Sequence, residues 1–257
     1  MEKVRKFGII SKGVFYATVG ILTILAAIGI GGKVSGKNGV INFLQEQTFG
    51  SIILVILAVG LLLYTIYRIF SAFTSNNSDD DSSEVLKRIG YFVSGLIYGA
   101  LAVSILTSVG SSSSGGSNSK QNLAQTVLSQ DWGDIAMYIL AAILVGVGIY
   151  QFYKGYSGKF MEKFNNYGTV ESTDLLKKSG KYGLIARGFS FFIFAWFVAV
   201  AAYENNSDAV RGIGGMFDFL RGFSWGNILM GLMALGFVLY GIFQYFLARY
   251  SSLYSEN

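Results

Sequence analysis

Six apolar stretches, at about 9–30, 51–73, 90–109, 134–153, 184–203 and 227–248, follow one another along the chain. Each has roughly the ~20 residues that a helix needs to cross a ~30 Å hydrocarbon core at ~1.5 Å per residue. Lipid offers a bare backbone no hydrogen bonds, so spans of this length fold as helices. Charged residues make up 14% of the 257, and hydrophobic ones 52%. A soluble domain carries about twice that share of charge. The expected solvent is therefore lipid, and the expected fold class is an all-α membrane protein with six transmembrane helices.

The basic residues divide unevenly between the two sides. Lys3, Arg5, Lys6, Lys12, Arg68, Lys87, Arg88, Lys154, Lys159, Lys163, Lys177, Lys178, Lys181, Arg187 and Arg249 fall with the termini and the even-numbered connections. Only Lys33, Lys37, Lys120, Arg211 and Arg221 fall on the other side. By the positive-inside rule both termini are expected in the cytoplasm. The net charge of +5 then reflects topology and anionic lipid headgroups, with no nucleic acid partner.

The chain has no Cys, no His and no Pro. Disulfides, thiol nucleophiles, histidine bases and the usual zinc or haem ligands are thereby excluded. No metal, cofactor or enzymatic activity is expected, although Asp, Glu, Tyr and Ser could still act. Ionisable residues are absent from the span centres, which leaves little for a proton relay to use. Asp134 and Glu204 lie at outer ends, and Lys12, Arg68 and Arg187 near inner ends.

An internal repeat organises the spans. "KFGIISKGVFYATV" at 6–19, "RIGYFVSGLIYGAL" at 88–101 and "KYGLIARGFSFFIF" at 181–194 align without a gap. Their columns are Gly8, Gly90 and Gly183; Lys12, Ser94 and Arg187; Gly13, Gly95 and Gly188; and Tyr16, Tyr98 and Phe191. The second spans align from Phe49-Gly50, Trp132-Gly133 and Trp225-Gly226 to Tyr67-Arg68, Tyr150-Gln151 and Phe243-Gln244. The unit is a two-helix hairpin, expected at 1–75, 84–157 and 177–250. Its two spans are joined by a short outer segment, "GVINFLQEQ", "NLAQTVLSQ" or "GGMFDFLRG". Because each unit crosses twice, the copies are parallel and a pseudo-threefold axis along the membrane normal is expected. The N-terminal stretch has the basic start and apolar run of a signal peptide. As one copy of the repeat, it is expected to remain as the first span.

Three tandem hairpins, each opening on a glycine-rich stretch with a basic residue and an aromatic one turn later, resemble a bacterial membrane-protein family. It is catalogued as domain of unknown function twelve hundred and six. The resemblance covers essentially the whole chain and implies six spans in a bacterial cytoplasmic (inner) membrane, without implying an activity. Lys12 and Ser94 depart from the arginine of the pattern.

Residues i, i+4 and i+8 share a helix face. Gly8, Lys12 and Tyr16 form one stripe, and Gly60, Tyr64 and Arg68 another; Gly236, Tyr240 and Gln244 repeat the second. Small residues let helices approach closely, so Gly8, Gly13, Gly60, Gly90, Gly95, Gly99, Gly183, Gly188 and Gly236 are expected at contacts. Lys12, Arg68, Gln151, Arg187 and Gln244 form a polar layer beneath an aromatic one of Tyr16, Tyr64, Tyr98, Phe191 and Tyr240. Two uses are open. The basic side chains snorkel to the headgroups, or they gather an inward-facing site for an anion or a lipid headgroup around the pseudo-threefold axis, which Arg suits by its planar fork.

Three local signals are weaker. "GGKVSGKN" at 31–38 nearly spells a phosphate-binding loop, but lacks the strand, the helix and the final Ser or Thr. "SNNSDDDSSE" at 75–84 reads as a solvated turn that caps the third span. "SSSSGGSNSK" at 111–120 reads as a flexible outer linker. The connection at 158–176, with Phe160, Met161, Phe164 and Tyr167 among lysines, suits an amphipathic segment on the inner surface. Trp132, Trp225 and Phe49 mark the outer interface. The expected role is a structural or accessory module for membrane lipids, a membrane-protein partner or a homo-oligomer. A channel or carrier along the pseudo-threefold axis and a small-molecule or lipid binder are the alternatives.

Overall fold

The computed structural model describes residues 2–29, 50–74, 81–110, 119–161, 164 and 174–250. Outside the described residues lie the near phosphate loop at 31–38, the outer segment at 39–47, Phe49, residues 75–80 and 111–118, and Tyr167. Among the described residues no strand occurs, and the helices are α1 (Glu2–Ala27), α2 (Gly50–Thr74), α3 (Asp81–Gly110), α4 (Ser119–Leu128), α5 (Gly133–Ser157), α6 (Asp174–Tyr203), α7 (Ile213–Arg221) and α8 (Gly226–Tyr250). Six of them, α1, α2, α3, α5, α6 and α8, are long and apolar enough to cross a membrane. The chain is an all-helical, multi-pass membrane protein.

Two of the three expected outer segments are short helices. α4 covers most of "NLAQTVLSQ" and α7 most of "GGMFDFLRG". In α7 the apolar residues Met216, Phe217 and Leu220 are buried while Asp218 and Arg221 are exposed, the pattern of a helix laid on a core. α5 ends at Gly158, whose φ of 73° lies in the left-handed region that glycine enters at no steric cost.

Hydroxyls within the spans bond to their own helix. Thr23 Oγ1 donates to the Val19 carbonyl at 2.8 Å, Thr65 Oγ1 to Leu61 at 2.9 Å and Ser71 Oγ to Tyr67 at 2.8 Å. Each hydroxyl thus finds an acceptor on its own helix, as an apolar solvent favours.

The chain forms two compact units: Met1–Phe15, Phe43–Ser114 and Gln244–Asn257; and Tyr16–Asn42 with Gly115–Phe243. In the first, α2 packs along α3; in the second, α5 packs along α6. Both pairings join the second span of one repeat to the first span of the next, and both use the same glycine column. A Cβ built on Gly95 would lie 3.0 Å from Ile69 Cγ1, and one on Gly188 would lie 3.0 Å from the Gly148 carbonyl oxygen. Within hairpins the first column works likewise. A Cβ on Gly8 would sit 2.8 Å from Tyr64 Cα, and one on Gly183 would sit 2.6 Å from Tyr240 Cα. These repeated contacts lie inside each unit, and the pseudo-threefold axis stays an expectation.

Gly183→Val is therefore expected to force α6 from α8 and to destabilise by about 1–3 kcal/mol, the usual cost of overpacking. Gly146→Ala, where an added Cβ meets nothing within 4 Å, is expected to stay within ~0.5 kcal/mol of the parent. Far-UV circular dichroism during SDS titration measures both, and equal effects would refute the close approach.

Candidate functional site

Lys12 lies one helical turn after Gly8 on α1, and Gly8 brings α1 against α2 at Tyr64. The ammonium consequently reaches ring faces. Lys12 Nζ stands 5.3 Å from the Tyr64 ring centroid and 4.8 Å from that of Tyr98 on α3. Tyr64 and Tyr98 meet edge to face, with centroids 5.1 Å apart at 89°. Lys12 is only 4% exposed, so the lysine is inserted among helices and does not snorkel along a lipid-facing side.

The same unit holds a second cation on the same tyrosine. Arg68 Nε donates a 2.7 Å hydrogen bond to the Tyr64 hydroxyl. Its guanidinium also lies 5.1 Å from the Tyr64 centroid and 4.8 Å from that of Tyr91. Tyr64 thus offers its face to Lys12 and its oxygen to Arg68.

In the second unit the equivalent columns build an equivalent group. Gly183 brings α6 against α8 at Tyr240. One turn on, Arg187 Nη1 donates to the Tyr240 hydroxyl at 2.7 Å, with its guanidinium 4.8 Å from that ring's centroid. The Tyr16 and Phe191 centroids lie 5.7 Å and 5.3 Å from the same guanidinium. Tyr16 meets Tyr240 edge to face at 5.0 Å and 80°, matching the Tyr64–Tyr98 pair. In both units a basic residue of one repeat sits with the tyrosine of its own second span and the first-span tyrosine of another repeat.

The energies are comparable in size. A charge at the centre of a span costs ~2.5–3.5 kcal/mol on insertion scales. That is an upper bound for residues nearer a span end, and each ring face returns ~0.5–2 kcal/mol, so two faces offset most of it. For Arg187 the charge-assisted bond to Tyr240 adds ~1.5–3 kcal/mol.

The structure thus brings Lys12, Tyr64, Arg68 and Tyr98 together in one unit, and Tyr16, Arg187, Phe191 and Tyr240 in the other. Gln244 is buried, and Gln151 and Ser94 are half-buried. Gly60 is closed against Ser11, Gly236 against Ala186 and Gly99 against Thr65, whereas Gly90 has open space around it. Gly13 is buried. Trp132 and Trp225 are exposed. Phe160 and Phe164 are buried, their rings 5.4 and 6.2 Å from that of Phe243, and Phe160 lies over Gly180. Among the described residues, no group of three or more acidic side chains converges as a metal site would require.

Sequence reasoning missed Tyr91 and the pairing of each cation with a tyrosine. The signal was present in the repeat. The copies with a basic residue have tyrosine at the facing position, as Lys12 with Tyr64 and Arg187 with Tyr240. The middle copy has Ser94 and Val147, so the charge and its ring are missing together.

The comparisons with known proteins bear on this arrangement. The family described as Domain of Unknown Function (DUF1206) matches residues 7–75, 89–158 and 182–251, one match for each hairpin. The chain is also similar to the "Uncharacterized protein YxxB" of Bacillus subtilis (strain 168), with 27% identity over 245 residues that span 95% of this chain and 88% of that protein. No solved structure matches it. With three tandem matches that together take in most of its length, the chain belongs to the DUF1206 family.

Proposed function

We propose that the chain is a non-enzymatic structural or accessory module of a bacterial cytoplasmic membrane, with cytoplasmic termini, that binds lipid or membrane-protein partners. The supporting observation is the use to which the charges within the spans are put. Lys12, Arg68 and Arg187 rest on the rings of Tyr64, Tyr91 and Tyr240, each on a neighbouring helix of the same unit, so these polar groups work to hold helices together. The surface left over is apolar helix. On α5, Ile135, Ile139, Leu140 and Ile149 are all exposed, the composition that lipid or another apolar helix covers.

Anionic headgroups suit the excess of basic residues on the inner side. Arg68, Gln151 and Arg187 keep part of their surface exposed, while Lys12 and Gln244 keep almost none. The first three are the residues of the polar layer that a headgroup would touch.

Native mass spectrometry of gently extracted protein is expected to show retained phospholipid. A bare monomer in every preparation would remove the lipid half of the reading. Planar-bilayer recordings are expected to show no unitary conductance, and reproducible current steps would replace the module by the channel alternative.

The internal role of the charges has its own measurement. Tyr64→Phe removes the hydroxyl that accepts from Arg68 and leaves the ring, so a loss of about 1–2 kcal/mol is expected in SDS titration. Tyr64→Leu removes the ring as well and is expected to cost more. In a double-mutant cycle, Arg68→Met and Tyr64→Phe should couple by about 0.5–3 kcal/mol; strict additivity would show that the hydroxyl bond contributes nothing.

A further inference from the structure

At the C-terminal end of α6, within the second unit, a cavity of about 300 Å³ opens beside the last turns of the span. Trp196, Phe197 and Phe219, the acidic residues Glu204 and Asp208, and Arg211 are among the residues that line it. Its volume lies at the lower end of the ~300–1,000 Å³ usual for small-ligand sites. It lies beside the C-terminal end of a helix long and apolar enough to cross a membrane.

The walls are firmly built. Asn205, at φ 47°, turns the chain out of α6. The Ser207 hydroxyl, in a buried residue, then donates to Gln125 Oε1 at 3.1 Å, tying the turn to α4. Beneath it Val198, Ala201 and Ala202 pack with Ala124 of α4 and with Met137 and Ala141 of α5. Phe197 and Phe219 meet edge to face at 5.5 Å and 87°, which fixes α7 on α6.

Charges of both signs face this cavity without neutralising each other. Arg211 lies 5.9 Å from the Phe197 centroid. Among the described residues, neither Glu204 nor Asp208 comes within the 4.0 Å of an ion pair with it. An ammonium is drawn to carboxylates and to the face of Trp, and a phosphate to the planar fork of Arg. A ligand that presents both groups a few bonds apart satisfies both sides at once, and Trp196, 59% exposed, offers an apolar wall for an attached chain.

We propose that this cavity binds a zwitterionic phosphate ester carrying an amine, with the phosphate on Arg211 and the ammonium between Trp196, Glu204 and Asp208. The site is separate from the cation–tyrosine groups, and stands or falls apart from any anionic headgroup at the polar layer. The same chemistry occurs in a phosphatidylethanolamine headgroup and in free phosphoethanolamine, so the test carries both.

Delipidated full-length protein in detergent is titrated with short-chain phosphatidylethanolamine, with phosphatidylglycerol of the same chain length and with free phosphoethanolamine, and occupancy is read by native mass spectrometry. Phosphatidylethanolamine is expected to bind about tenfold more tightly than phosphatidylglycerol, the loss that goes with one missing charge-assisted contact. Arg211→Gln, and Glu204→Gln combined with Asp208→Asn, are each expected to weaken it about tenfold with unchanged melting, while Arg221→Gln leaves it as it was. Free phosphoethanolamine binding as tightly as the lipid identifies a soluble ligand of the proposed chemistry; binding of the lipid alone identifies the lipid. Equal binding of the two lipids, or variants without effect, overturns this site and leaves the lipid-binding module standing. A chain that stays bare with every ligand overturns both.

Discussion

Each of these units depends on a basic side chain held against tyrosine rings inside a span. That arrangement is possible only because a glycine one turn earlier removes the side chain that would keep the helices apart. Gly8 and Gly183 set α1 on α2 and α6 on α8 at the backbone of Tyr64 and Tyr240. The next turn then places Lys12 and Arg187 over those rings. A wider separation would leave the charge beyond the ~6 Å reach of the ring quadrupole. The glycine, the cation and the tyrosine are therefore one device, in which the close packing and the charge burial require each other.

The two copies of the device reach the same end with different residues. Arg187 covers the ring of Tyr240 and also donates to its hydroxyl, which a flat guanidinium on a long stem can do. Lys12 is a compact point charge that lies over the rings of Tyr64 and Tyr98. The bond to the Tyr64 hydroxyl comes instead from Arg68 on α2, at the column where the third repeat has Gln244. The hydroxyl of each second-span tyrosine accepts one guanidinium in either case. The middle copy keeps the glycine, as Gly90, but has Ser94 and Val147 where the other two have the cation and its tyrosine.

The spans and the repeat were legible because apolar length and column identity are one-dimensional properties. Six runs of about 20 apolar residues mark six helices, and the columns at Gly8, Lys12 and Tyr16 mark the hairpins without any geometry. Direction was not legible. A 3.6-residue period places Gly8, Lys12 and Tyr16 on one face, yet the same stripe is compatible with lipid, a headgroup or a neighbouring helix. Tyr98 on α3 meets Lys12 because of tertiary placement that no local pattern encodes. Phe160 and Phe164 teach the same lesson: aromatic and basic residues alternate there as in a surface segment, yet both rings are buried near Phe243. Residue type set the amphipathic reading, and the available cavity beside Gly180 decided the outcome.

Along α6 the same residue types serve opposite ends. Arg187 is surrounded by Tyr16, Phe191 and Tyr240 of its own unit, so its charge is used in holding helices that lipid alone would not drive together. Sixteen residues later (203 − 187) α6 ends at Tyr203, about 24 Å away at ~1.5 Å per residue. There Trp196, Phe197 and Phe219 again gather beside charge, but Glu204, Asp208 and Arg211 are exposed. A difference in depth within the membrane would produce this contrast. In the hydrocarbon a charge without a partner is too costly to leave waiting for a ligand. At the interface water solvates it cheaply until a ligand of matching charge displaces that water, and only there can rings and opposite charges be held ready for something outside the chain.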